Sequence, residues 1–144
     1  MKSLTFIIIS VFISLSTMAQ QLEEHQWENR VLIVKTTDEQ SQKYQQQLKE
    51  FKKATEGLSE RKLVLYQVVG NSYQLTDYQN PQANTSGKVS QALNQKFLKE
   101  KELFEVILIG LDGGVKRQKT TLLTQEELFG LIDAMPMRKA EMKK

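Results

Sequence analysis

The chain has 144 residues, 40% hydrophobic and 26% charged, with a net charge of +3, about one domain by length. It contains no cysteine and one histidine, which excludes disulfide staples, thiol redox chemistry, iron–sulfur clusters, thiolate metal sites and multi-histidine metal centres. The basic character sits in the last seven residues, where Arg138, Lys139, Lys143 and Lys144 face only Glu141; without clustered Lys/Arg and aromatics on the body, nucleic acid is not an expected partner.

Met1-Lys2-Ser3 is a short charged start, Leu4 to Leu15 is apolar, and Thr17-Met18-Ala19 places small residues before a cleavage point. That is the form of a secretory signal peptide over residues 1–19. The apolar run is shorter than the ~20 residues a spanning helix needs. The expectation is an exported chain, periplasmic or secreted, with no membrane span after cleavage. A domain over 20–137 and a basic tail over 138–144 follow, the tail expected as a solvated helix end where cations suit the dipole.

Within the domain, Val31-Leu32-Ile33-Val34 runs apolar without alternation, the mark of a strand covered on both faces. Thr36-Thr37-Asp38-Glu39 suits a helix cap, and Tyr44, Leu48, Phe51, Thr55 and Leu58 form one helical stripe that Gly57 should end. Leu63 to Val69 reads as a second strand. Gly70 to Ser86, with Gly, Pro and Asn, reads as an irregular excursion pinned by Tyr73 and Tyr78. A helix is expected over Lys88 to Lys99, with Val89, Leu93 and Phe97 inward.

Phe104 to Gly110 is the most apolar strand. Asp112-Gly113 marks a tight turn, and Val115 to Thr120 returns as a charged edge strand. Thr124-Gln125-Glu126-Glu127 is a capping box for a last helix with Leu128, Leu131, Ile132 and Met135 inward, closed or kinked by Pro136. The order is β-α-β-α-β-β-α. Central strands after the first can lie parallel through right-handed helical crossovers, and the last pairs antiparallel with its neighbour. The succession points to an α/β, thioredoxin-like domain: a mixed four-stranded sheet flanked by helices. A flavodoxin-type sheet would need a further β-α unit and no tight hairpin.

Three stretches, Trp27–Val34, Val106–Lys116 and Leu128–Arg138, together resemble a family of small exported bacterial proteins known only as a domain of unknown function. That domain is similar to modules of animal extracellular proteins, including sushi-repeat-containing ones. The resemblance implies a thioredoxin- or peroxiredoxin-like fold and an exported location, and no established reaction. The place matching a thioredoxin thiolate is Thr36-Thr37-Asp38-Glu39. Neither Pro81 nor Pro136 lies before the third strand, where such enzymes carry a cis-proline; Glu105 is near that place.

Other chemistry has simpler readings. Adjacent Asp38 and Glu39 do not face each other on a helix and suit its positive end. His25 with Glu23 and Glu24 reads as a disordered end rather than a metal site, and Trp27 as a cover for the sheet end. The glycines after Asp112 lie between two strands, not before a helix, so they read as a turn rather than a phosphate loop. No cofactor and no metal are expected. The expected function is a redox-inactive binding module for an envelope or extracellular protein or a small ligand. Its candidate groove comprises Lys35, Thr36, Thr37, Asp38 and Glu105. The alternative is a cysteine-free hydrolase or transferase using carboxylates and Lys/Arg groups.

Overall fold

Strand β1 (Arg30–Thr36) is buried along its whole length. Successive side chains of a strand point to opposite faces, and two separate cores receive them. Leu32 and Val34 pack on one face with Tyr44, Phe51, Leu58, Leu128 and Ile132. Val31 and Ile33 pack on the other with Tyr66, Tyr73, Leu93 and Ile107. Burial on both faces is why the sequence of β1 does not alternate. The computed structural model describes residues 18–99 and 101–144, so the expected signal peptide lies outside the described residues except for its last two. Those two open helix α1 (Met18–His25), which sets Leu22 against the second core.

Six strands form one mixed sheet, with β2 (Leu63–Val69), β3 (Ser72–Asp77), β4 (Thr85–Lys88), β5 (Phe104–Ile109) and β6 (Val115–Lys119) in the order β4-β3-β2-β1-β5-β6. Helices α2 (Gln42–Lys52), α3 (Thr55–Glu60) and α5 (Gln125–Asp133) cover one face, and α1 and α4 (Gln91–Lys96) the other. Among the described strands, only β1 and β2 pair in parallel. The expected hairpin is present: β5 and β6 pair antiparallel around a turn in which Gly113 holds φ at 80°.

The sequence departs from this sheet in two ways. First, the expected four strands are six, because the excursion from Gly70 to Ser86 is largely strand. Gly70, at φ 59°, turns the chain, and β3 returns along β2 with Tyr73, Leu75 and Asp77 inward. β4 then pairs with β3 as an edge. Second, β5 runs antiparallel to β1 rather than joining a parallel set. The β3–β4 hairpin delivers the chain to the same end of the sheet where β1 finishes. Helix α4 has six residues, about 9 Å of rise, against the ~20 Å needed to travel back along a strand. The chain therefore enters β5 beside Thr36 and runs the other way.

Helix boundaries shift for local reasons. The first long helix begins at Gln42, where the Ser41 hydroxyl accepts the Tyr44 N–H at 3.2 Å. Gly57 lies inside α3 rather than beyond its end, and Lys62 takes the left-handed conformation at φ 54°. Thr124 caps α5 as expected, accepting the Glu127 N–H at 3.2 Å. Pro136 does more than stop α5: it starts a further helix, α6 (Pro136–Met142). Arg138, expected in a solvated tail, is 4% exposed.

Candidate functional site

At the carboxyl ends of β1 and β2, next to the start of α4, lies a cleft of about 870 Å³. Open α/β sheets hold ligands outside the carboxyl ends of parallel strands. Three of the five expected groove residues, Lys35, Thr36 and Thr37, line this cleft. Its floor is tied by backbone: Gly70 N–H donates to the Thr36 carbonyl at 3.1 Å, and Val89 N–H to the Asn71 carbonyl at 2.8 Å. Thr36 is buried, and its hydroxyl accepts from the Asp38 N–H at 3.1 Å and donates to the Asp38 carbonyl at 2.9 Å. Thr37 is exposed, with its N–H donated to the Leu103 carbonyl at 3.1 Å.

Asp38 and Glu105 do not line the cleft. Asp38 closes its own loop by accepting the Gln40 N–H at 2.9 Å, so it is a turn residue rather than a helix cap. Glu105 is fully buried, although a residue bordering an open groove was expected. It sits opposite Lys35 across the β1–β5 ladder, with Lys35 Nζ 3.6 Å from its carboxylate. The carboxylate also accepts the Lys99 N–H at 2.9 Å and the Gln118 amide at 3.0 Å. Lys35 Nζ in turn donates to the Lys99 carbonyl. The pair thus clamps the chain between α4 and β5 from beneath. A buried carboxylate is tolerated only when paired and hydrogen-bonded in this way.

The remaining polar wall escaped sequence reasoning. Asn71, Lys88, Gln91, Asn94 and Gln95 all face the cleft. The three α4 residues are spaced at i, i+3 and i+4, one face of a helix. That spacing was the available signal once Ser90 was recognised as the cap, its hydroxyl accepting the Leu93 N–H at 3.2 Å. Among the described residues, the cleft wall carries two lysines and no carboxylate.

At the other end of the sheet, charge is used for closure. Arg30 is 1% exposed and pairs with Glu141 of α6 at 3.3 Å, also donating to the Arg61 carbonyl at 2.9 Å. Arg61 pairs with Asp133 at 2.8 Å and lies 3.8 Å over the Phe129 ring. Arg138 pairs with Glu60 at 2.6 Å and with Asp133 at 3.1 Å. The hydrogen bond from Arg61, helped by Arg138 and opposed by burial, holds the Asp133 carboxyl below its ordinary range. Arg30 Nε is buried without a partner, a deficit of about 1–3 kcal/mol for such a group. The three stretches that carry the family resemblance meet here: Arg30, the turn from Gly110 to Lys116 and the α5–α6 corner line one pocket of about 470 Å³.

His25 is not a disordered end. Its Nε2 is 2.8 Å from the Tyr66 hydroxyl and its Nδ1 3.0 Å from the Asn29 amide. Burial lowers its pKa, against the opposing charges of Asp77 and Glu24. Burial also raises the Tyr66 phenol. Trp27 does not cover the sheet end: it is 60% exposed, in a left-handed backbone at φ 71°. Among the described residues, no group of three or more His, Asp or Glu is placed to hold a metal ion, and no helix is long and apolar enough to cross a membrane.

No curated protein and no solved structure matches the chain. Residues 21–141, from within α1 to within α6, match the family described as Domain of unknown function (DUF4174). That span covers both ends of the sheet described above, and the chain belongs to this family.

Proposed function

We propose that this chain is an exported, redox-inactive, thioredoxin-like binding module that takes a polar segment of an envelope or extracellular protein into the cleft at the carboxyl ends of β1 and β2. The four strands β2-β1-β5-β6, with the β5–β6 hairpin and helices on both faces, support the fold reading; β3 and β4 extend the sheet at one edge. The observation that carries the function is the make-up of the cleft. Lys35, Thr36 and Thr37 meet lysine and amide side chains, and among the described residues no carboxylate, histidine or cysteine stands in its wall. Such a wall offers hydrogen bonds and positive charge to a docked chain, and no nucleophile–base pair for chemistry. Arg30, Arg61 and Arg138 pair with carboxylates at the opposite end, and Glu105 pairs with Lys35 beneath the cleft.

Export is checked by the intact mass of the mature protein, expected to begin at Gln20. Docking is checked with a photo-crosslinking residue at Gln95 in the cleft and, as control, at Glu126 on the opposite face. Adducts with one envelope protein at Gln95 alone, lost on Lys88→Glu, support the reading. No adduct at Gln95, equal adducts at both positions, or indifference to Lys88→Glu overturns it. Lys88 is exposed, so its reversal leaves the buried Lys35–Glu105 clamp intact.

A further inference from the structure

The two edges of the sheet are finished differently. β6 carries Lys116, Arg117 and Lys119, and its pairing with β5 breaks register between Leu108 and Ile109. Charge and an irregular ladder both discourage a further strand. β4, Thr-Ser-Gly-Lys, pairs with β3 over four residues with no shift of register, and its one charge, Lys88, stands at its end. The bonds around β4 fix which way its backbone points. The Val89 N–H donates to the Asn71 carbonyl at 2.8 Å, and the Asn84 side chain accepts the Asp77 N–H at 2.7 Å. Alternate residues of an antiparallel ladder face the partner strand. Thr85 and Gly87 therefore turn their N–H and C=O groups toward β3, and Ser86 and Lys88 turn theirs outward. Both are exposed, and among the described residues no backbone group bonds to them from the open side.

Strand direction sets where this edge leads. β4 is antiparallel to β3, and β3 to β2, so β4 finishes at the same end of the sheet as β1 and β2. Lys88, its last residue, lines the cleft. Lys35, the other cleft lysine, is neutralised by Glu105. Lys88 Nζ donates only to the uncharged Ser72 hydroxyl at 3.1 Å and has no carboxylate partner among the described residues. We propose that the docked segment of the partner protein is an extended chain that adds a strand beside β4. It bonds to the outward groups of Ser86 and Lys88, sets an acidic residue against Lys88 and continues into the cleft. That the partner is a protein segment rests on the docking function proposed above; outward ladder groups are complemented by another backbone, which supplies affinity while side chains supply specificity. Four residues of strand are only about 13 Å long, and two folded copies meeting along them would bury far less than the ~1,200 Å² of a stable interface. A single extended chain makes up the difference in the cleft.

The test titrates the isotope-labelled mature chain with the peptide acetyl-Thr-Val-Thr-Val-Thr-Glu-amide and follows its amide signals. The backbone amides of Ser86 and Lys88 are expected to shift saturably, while that of Arg117 on the other edge stays in place. The same peptide ending in lysine is expected to bind at least threefold more weakly, and Lys88→Glu to reverse that preference. The peptide N-methylated at its four central residues, which has lost its ladder donors, is expected to bind at least tenfold more weakly. Ser86→Pro removes an outward N–H where an edge strand tolerates proline, so it is expected to weaken binding more than tenfold with melting temperature unchanged. If that variant does not fold, the N-methylated peptide decides. No saturable shift at Ser86 and Lys88, equal binding of the N-methylated peptide, or binding that survives Ser86→Pro overturns the proposal. Shifts confined to the side-chain amides of Asn94 and Gln95 overturn strand addition and leave the cleft reading in place. Shifts at Ser86 and Lys88 with those side chains still uphold strand addition and overturn the cleft reading. A chain that sediments as a dimer, and as a monomer after Ser86→Pro, has a second copy on this edge, which overturns the proposal.

Discussion

The clamp between β1 and β5 gives the sharpest test of the structure. Lys35→Met keeps the stem volume of the lysine and removes its charge. Glu105 is then a fully buried carboxylate whose only partners among the described residues are the Lys99 N–H at 2.9 Å and the Gln118 amide at 3.0 Å. At 3.6 Å the lost attraction is about 4–5 kcal/mol in an effective dielectric near 20. Part of that is offset because the lysine no longer has to be desolvated, so the expected loss is about 2–4 kcal/mol, toward the lower side of that seen when one partner of a buried pair is removed. Glu105→Leu alone strands Lys35 and the Lys99 N–H and should cost about as much. The double variant has no buried charge; it removes the partners of the Lys99 N–H and carbonyl and one hydrogen bond of the Gln118 amide, which keeps its bond to the Phe97 carbonyl, so it should lose only about 1–2 kcal/mol. Urea unfolding of the four proteins, followed by circular dichroism at pH 7, measures the coupling. A coupling energy below about 0.5 kcal/mol, the error of additivity, would mean that the two side chains do not interact, and the placement of β1 beside β5 would lose its main polar support.

Three further perturbations address other parts of the fold. Leu108 is fully buried in the core under α5, so Leu108→Ala should cost about 3 kcal/mol through the cavity it opens; a urea-measured loss under about 0.5 kcal/mol, a surface value, would place that strand outside the core. Burial lowers the His25 pKa from 6.5, so its contribution is complete above that value and is lost as pH falls through the lowered one. Stability should therefore decline between pH 7 and pH 5, and His25→Gln should flatten the decline; an identical slope in both proteins would contradict the buried neutral imidazole. The Asp133 carboxyl is held down first by the hydrogen bond from Arg61, so its contribution is present above the ordinary carboxylate pKa and disappears as pH falls below it. Asp133→Asn should lower the melting temperature at pH 7 and have little effect near pH 2, and a deficit of the same size at both would show that the loss is not electrostatic.

The parts of this fold that were legible in the sequence are those whose signals are local. β1 and β5 announce themselves because both faces are covered, and the Asp112-Gly113 turn and Thr124 cap are short-range chemistry. β3 and β4 were not legible because β3 has only Tyr73, Leu75 and Asp77 inward and β4 has no apolar side chain at all. The start of α2 was ambiguous because Thr36, Thr37, Asp38 and Ser41 are all capping types, and only the turn that Asp38 makes selects Ser41. Lys35 and Glu105 were visible as unusual residues in apolar strands. That they are partners, and that Glu105 is therefore internal rather than bordering a groove, depends on the antiparallel register of β1 and β5. No local pattern announces that register.

The longest-range contacts explain how such a chain closes without covalent help. It has no cysteine, so no disulfide can tie its ends. Arg30 opens the central strand and Glu141 lies in the last helix, 111 residues later, yet they are held at 3.3 Å. Arg138 adds a second tie to Glu60 at the end of α3, and α6 buries no apolar side chain of its own, only that arginine. The final helix is therefore seated by charge, where the other helices are seated by their apolar faces. Partly buried ion pairs fix geometry more than they add stability, and the geometry fixed here is the corner formed by Ala134, Met135 and Pro136 against the β5–β6 turn. The same contacts that close the chain also shape the pocket that Met135 and Met137 line and bury Arg30. A change that loosens α6 should therefore alter that pocket before it disturbs either core.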